Sequence, residues 1–592
     1  MGVSNYNVKN YTEQGGERTV IGGELDFVGD GKLLQNGVPV SFGGVGGDTG
    51  SIINVRSYGA KGDGVTDDTA AIQASMNALV LGGSLFFERG QTYLISRELR
   101  PKANTIIQGN GATLKRINEI RTTTTTAIPT TTGVAYTFTV ASIAGFRVGQ
   151  CIMLINGTTY SKDNLEIKSI TGNNITVYNS RSGESFPIGT VVQTACKLMV
   201  LTNDCVVENL KIDGNKSNQT VALWDHHQEV VTAARCIIRD CYITNVPSEA
   251  IMAQGSDTVI VGNYIDGCGG NGIHYSGATY AVCRDNQVIN TNLAGGVVGH
   301  DDGAIILSNL CGDLVIDGNY MSNCKSGIGS VDYDGNSDLT ITNNIIRNAT
   351  VQAMDIERVA PDGAPKNLII TGNRVYSSVY FGINNRSAGL TFAIKNVVVG
   401  NNYFFDTRVR VINSDHIVFS GNVVEYTASN WAVELTGSSN IVVKGNLIQG
   451  GTYGVYLQGT DSKSITIAEN NIDGQSTGGV FVNDIPLDTI TISGNAITNA
   501  GTALAAYAAI TAKAKLFITG NNITLSQGAF GIVTASDTVI TNNKIITPSG
   551  APSISVSAGQ SNTVMQGNFF NRAIAKPGGD TNPDVNNVVI TA

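Results

Sequence analysis

The segment AMDIERV (353–359) holds two carboxylates, Asp355 and Glu357, two positions apart. Residues i and i+2 of a strand share a face at about 6.5–7 Å between Cα atoms, a spacing usable by paired carboxylates in glycoside hydrolysis. One protonates the leaving oxygen while the other activates water. More acids stand close in sequence: Asp301 and Asp302 in GHDDG (299–303), and Asp332, Asp334 and Asp338 in VDYDGNSD. Each set also has a plainer use. Asp301 and Asp302 can shape a turn before Gly303. Asp355 and Glu357 can pair with Arg358 or Arg386 as a surface ion ladder. The VDYDGNSD acids have the spacing of a calcium loop without its twelfth-position Glu, which favours a turn. His226 and His227 are adjacent, and adjacent side chains on a strand point to opposite faces, which argues against a shared metal. No metal and no cofactor is expected.

A repeat supplies the elements that must position these groups. VIVGNYI (259–265), IITGNRV (369–375), VFSGNVV (418–424), VVKGNLI (442–448), TISGNAI (491–497) and FITGNNI (517–523) share one pattern. β-Branched residues lead to Gly-Asn, then one residue, then an apolar one. The Asn recurs at 263, 286, 319, 344, 373, 402, 422, 446, 470, 495, 521, 543 and 568, a mean spacing of about 25. Leu210 and Cys241 fill the same slot in VVENLKI and IIRDCYI. Strands this short cannot bury a core alone, whereas stacked units can. Asn tolerates the left-handed backbone of a sharp turn, and identical Asn in successive turns can form an amide ladder. The expected fold is all-β, a parallel β-helix, right-handed by the crossover rule.

In such a solenoid the inward residues are core, so chemistry lies on outward positions and loops. Alignment on the Asn shows another strand eight to ten residues later. It places His274, Asp355, Glu357, Asn384, Arg386, Glu434 and Tyr456 on one outer face. The longer rungs carry WDHHQE (224–229), GHDDG, IERVAPDG (356–363) and NNRSAG (384–389), so a groove is expected around 220–390.

Composition agrees with a β-solenoid. Charged residues make up 14% and Gly 70 positions of the 592, which argues against a helical protein. A net charge of −9 with no basic run argues against nucleic-acid binding. No stretch of 18 apolar residues is present, so no membrane insertion is expected. The nine cysteines lie in one segment with no C-x-x-C pair, which reads as buried packing thiols in a reducing compartment.

Residues 53–87 hold a candidate helix, capped by Asp67 or Asp68, with Ile72, Met76, Leu79 and Val80 on one face. Such a helix would close the first rung of the solenoid. The stretch NVRSYGAKGDGVTDDTAAIQ resembles the opening of pectate-lyase-like β-helix proteins, which include polygalacturonases and bacteriophage tailspikes; the resemblance spans about residues 52–570. Residues 1–50, with GGELDFVGDGKLLQNGVPV and a Gly-rich linker, resemble virion-attachment segments of phage appendages. The expected organisation is that module at 1–50, capping helix and first rungs at 51–117, an inserted β domain at 118–196, the β-helix at 197–570 and a cap or tail at 571–592.

The resemblance implies a depolymerase of a bacterial surface polysaccharide, made in the host cytoplasm, borne on the virion as a homotrimer and attached through its N-terminus. Hydrolysis would draw its acid and base from Asp355, Glu357, Asp301, Asp302 and Asp332. His274, Trp224, His226, Arg358, Asn384, Arg386, Glu434 and Tyr456 would hold sugar. HDDGAII is similar to the paired-Asp motif of polygalacturonases, but GGNGIHY stands in the place of the partner motif without its Asp, and no Gly-His or Arg-x-Lys follows. The alternatives are a lyase or teichoic-acid-degrading appendage, and a non-catalytic glycan-binding adhesin.

Overall fold

The computed structural model describes the chain except residues 1–9, 13–18, 22–33, 36–37, 40–50, 130–133, 157–158, 180–184, 195–196, 221–227, 293–302, 331–336, 359–365, 386–393, 484–489, 502–507, 514, 528, 535–536, 558–562, 577–583 and 590–592. Two compact units result, 1–52 and 53–592. Within the first, Asn10–Thr12 pairs antiparallel with Thr19–Ile21, and Leu34–Gln35 with Val38–Pro39.

The second unit is a parallel β-helix. Successive coils build three stacked parallel sheets, two of nineteen strands and one of fifteen, so most coils add one strand to each. Val259–Val261, Tyr264–Asp266 and Ile273–Ser276 make up one coil. The inward column of the fifteen-stranded sheet runs through Ile251, Ile273, Ile305, Ile328, Met354, Phe381 and Val409, all buried. One continuous apolar core runs along the stack.

All thirteen repeat Asn are buried, none more than 2% exposed. Each backbone N–H donates to the Oδ1 of the next Asn, and each Nδ2 donates both to that Oδ1 and to a strand carbonyl. For Asn286 these bonds are 3.0 Å and 3.0 Å to Asn319 and 2.9 Å to the Ile260 carbonyl. Cys241 fills the slot before Asn263, its N–H donating to the Asn263 Oδ1. One expectation is corrected. The ladder Asn are not left-handed; the positive φ belongs to the residue before them, as at Gly262 (φ 67°) and Asn343 (φ 56°). The turn is made by that residue, and the ladder Asn serves through its amide.

Helix α1 (Thr69–Ala78) buries Ile72 and Met76. Leu79 is buried after it, but Val80 is 75% exposed, because the helix has already ended. The capping expectation also changes. Asp68 occupies the N-cap position without a side-chain cap bond, and its carboxylate instead accepts from the Lys61 and Gly62 N–H groups. Asp67 accepts from the Thr69 N–H and hydroxyl. A six-stranded sheet within Arg121–Thr194 has its own core, including Phe138, Ile152, Leu154 and Ile175. After residue 571 the coil continues for part of a turn, and Asn587 extends the ladder beyond Asn568.

Candidate active site

The outward column of the fifteen-stranded sheet runs, strand by strand, through Met252, His274, Ile306, Gly329, Asp355, Gly382, Arg410, Glu434, Tyr456 and Phe481. Neighbours in a column stand about 4.8 Å apart. His274, Asp355, Glu434 and Tyr456 therefore share one column, as alignment on the Asn predicts. Asn384 stands one column along, opposite Glu357. Asp355 lies three strands from His274 and three from Glu434, about 14 Å each way.

Asp355 is only 1% exposed. Its Oδ2 accepts from the Tyr380 hydroxyl at 3.0 Å and its Oδ1 from Asn384 Nδ2 at 2.6 Å. Tyr380 also lies 3.1 Å from Gln352 Oε1. Two donors on one carboxylate match the ionised form. The supporting amides are incompletely used: Asn384 Oδ1 and Gln352 Nε2 are buried without a hydrogen-bond partner. An unmet acceptor and an unmet donor beside a carboxylate are costly unless a ligand or water meets them. On the next strands Arg410 bonds Glu434 at 3.0 Å and lies 5.2 Å from the Tyr380 ring centroid. Glu434 also accepts from Thr436. Arg408 stands opposite Tyr380, and burial, then the charge of Arg410, lowers its pKa.

Aromatic rings continue the face. Trp431 stacks on Tyr456 at 4.0 Å and 4°, and Tyr456 on Phe481 at 5.3 Å and 2°. Tyr453 packs against both Tyr456 and Phe481. All four rings are partly exposed. Stacked rings with open faces and edges suit the apolar faces of sugars. Phe481 was legible, since GGVFVND (478–484), like GVYLQG (454–459), follows a ladder Asn by eight residues. Tyr380, Arg410 and Trp431 were not, because they lie outside the aligned segments or join through contacts between strands.

At the other end of the column, His274 faces Glu249 and Ser308, each 2.8 Å from a ring nitrogen. It does not meet the Asp355 group. Asp301, Asp302, Asp332, Trp224, His226 and Arg386 lie outside the described residues. So do the side chains of Glu357 and Arg358, whose backbone belongs to the strand Gln352–Arg358. Among the described residues no His, Cys, Asp and Glu group has metal-ligand geometry. A separate cavity of about 490 Å³ lies beside α1 and is lined by Arg97, Glu98, Arg100 and Glu166 among others. Burial raises the Glu98 pKa against the charge of Arg100.

Residues 52–329 match the family model described as rhamnogalacturonase A/epimerase, pectate lyase-like, and residues 431–587 match the right-handed β-helix region. A 60-residue stretch is 47% identical to the capsule K30/K69-specific depolymerase 1 of Klebsiella phage K5-2, spanning 10% of this chain and 7% of that protein. Among solved structures, the pre-mature gene product 12 of bacteriophage phi29 is 12% identical at TM-score 0.49, covering 90% of this chain and 72% of that one. The tailspike of E. coli bacteriophage HK620, solved with a pentasaccharide, is 11% identical at TM-score 0.41, covering 87% and 78%.

Proposed function

We propose, for a chain that belongs to the pectate-lyase-like right-handed β-helix superfamily, that it is a tailspike-type depolymerase that binds and cleaves a bacterial surface polysaccharide along the outer face of the fifteen-stranded sheet. The observation that carries this reading is a donor-held carboxylate with two unmet amide groups beside it, set on the same column as a stacked aromatic platform four strands along. A carboxylate, amides and open rings together are what a neutral or weakly acidic glycan requires. The 60-residue stretch that is 47% identical to a capsule depolymerase supports the same substrate class.

In the hydrolytic reading Asp355 is the base or nucleophile, because both of its oxygens already accept hydrogen bonds. Glu357, two positions along the strand, is the acid. Asn384 and Gln352 use their free amide atoms on sugar hydroxyls, and Tyr456, Trp431 and Phe481 hold the neighbouring units. The acids at 301, 302 and 332 remain candidates of the same class. One observation favours elimination as a second reading. Tyr380 stands against Arg408 and Arg410, a phenol beside two cations, which suits proton removal next to a uronate carboxylate.

Incubation with capsules and cell-wall polymers from several hosts, with mass and ultraviolet analysis of the products, tests both. Hydrolysis adds the mass of water to each product pair without new absorbance. An unsaturated uronate band assigns the site to elimination. If no polymer is shortened but one is retained, the protein is an adhesin. The proposal includes a virion-borne homotrimer attached through residues 1–50. Supporting it, Val315, Ile369, Val398 and Val418 are exposed in one outward column of another sheet, an apolar stripe fit for a subunit contact.

A further inference from the structure

His274 is held at both ring nitrogens. Nδ1 lies 2.8 Å from Glu249 Oε1, and Nε2 lies 2.8 Å from Ser308 Oγ. The proton positions follow from the neighbours. Glu249 also accepts from Asn271 Nδ2 at 2.8 Å and Gln228 Nε2 at 2.7 Å, so its carboxylate is surrounded by donors. The Nδ1 of a neutral imidazole must then carry the hydrogen, which leaves Nε2 as an acceptor. Ser308 Oγ accepts from Asn309 Nδ2 at 3.2 Å, so its own proton points to Nε2. Burial pushes the Glu249 carboxyl up, but the charge and hydrogen bond of His274 in its protonated form, with Gln228 and Asn271, bring it down to about 2. With His274 neutral, the hydrogen-bond pattern itself is the one that a nucleophile, a base and an orienting carboxylate require.

The geometry points to a second activity at this place: hydrolysis of a small acyl ester by Ser308, with His274 as general base and Glu249 as a positioning residue. Ser308 is 1% exposed, while the His274 side chain is 16% exposed. Entry along the imidazole into so tight a site suits an acetyl group rather than a longer chain. The Asn309 amide, which also bonds Ser276 Oγ at 2.9 Å, stands beside Ser308 to donate to the carbonyl oxygen as it becomes negative. Ser308 Oγ bonds to the acyl carbon as its proton passes to His274 Nε2. The bond from that carbon to the alcohol oxygen breaks, and His274 protonates the leaving alcohol. Water then attacks the acyl-serine, giving its proton to His274. The bond to Ser308 breaks and Oγ recovers a proton, releasing a carboxylic acid.

The choice of an O-acetylated sugar as the natural ester rests on the proposed glycan substrate; the ester chemistry does not. The site lies about three strands from Asp355 on the same column, close enough to deacylate the chain being held there. Two probes test it on the full chain. Diisopropyl fluorophosphate is expected to phosphorylate wild-type protein on the peptide containing Ser308, with loss of fluoride, read by mass. Release of nitrophenol from 4-nitrophenyl acetate is expected to fall on the order of 100-fold in Ser308→Ala and His274→Gln. Glu249→Gln should slow labelling, with Glu249→Asp restoring part of the rate. Absence of a Ser308 adduct in folded wild-type protein overturns the proposal even if the variants fail to fold. Undiminished ester hydrolysis in folded Ser308→Ala does the same. Ester hydrolysis without polymer shortening would instead spare this proposal and sink the depolymerase reading.

Discussion

Asp355 is buried beneath the outer face, and its carboxylate accepts from the Tyr380 hydroxyl and the Asn384 amide. Replacing it with Asn keeps its shape and removes its charge, so Asp355→Asn should lower depolymerisation on the order of 100-fold with the thermal midpoint nearly unchanged. Product mass and calorimetry check this; an active, stable variant would move the chemistry elsewhere. The aromatic residues act differently. Trp431 offers a face and no charge, so Trp431→Ala should raise KM about tenfold on a long glycan and leave kcat alone, in steady-state kinetics. Glu249 makes a prediction about acid. Its folded-state pKa of about 2 lies below the ordinary 4.5, so its contribution to stability is complete above about 4.5 and is lost as pH falls toward 2. Glu249→Gln should flatten the stability curve in that window, measured by denaturant unfolding at stepped pH.

At the scale of the element, the Asn ladder links each coil to the next beside the sheets and the core. Removing the Asn402 amide strands the Asn373 N–H and the Ile370 carbonyl, both of which it now satisfies at 2.9 Å. Each unmet buried group costs about 1–3 kcal/mol. In a solenoid whose coils touch only their neighbours, the damage should stay local. Asn402→Ala should speed amide exchange in the coils on either side and leave distant coils protected, by hydrogen-exchange mass spectrometry. This element was legible because it is repetitive: thirteen Asn at regular places reveal a period that no single coil would. The outward column was legible for the same reason, since alignment on the Asn carries the register to His274, Asp355, Glu434 and Tyr456. The Ser308 partnership was not. His274 and Ser308 are 34 residues apart, well over the mean period, and the long connection between them breaks the count. Tyr380 escaped because it precedes the aligned strand segment and reaches Asp355 across to the neighbouring coil. Sequence spacing finds which residues share a column, whereas bonds between columns depend on side-chain length and rotamer.

Over the whole molecule the cysteines report on how the core is sealed. Cys205, Cys236, Cys241, Cys268, Cys283, Cys311 and Cys324 are buried free thiols, and Cys151 is partly exposed. Most of the buried seven sit inside coils, where the thiol fills a core position or a turn slot as Cys241 does. Burial raises the thiol pKa, to about 12 at Cys241 and Cys283, and raises it at Cys236, Cys268, Cys311 and Cys324 as well. A thiol that is both covered and protonated is a poor nucleophile. Among the described cysteines, reaction with a disulfide reagent under native conditions should therefore be limited to Cys151. The other seven should react only with global unfolding, in one phase with the loss of β-sheet circular dichroism. Because these seven make no disulfides, reductant should leave the unfolding temperature unchanged. Rapid native labelling of any of the seven would mean that the coils open locally and that the apolar core is not continuous at that coil.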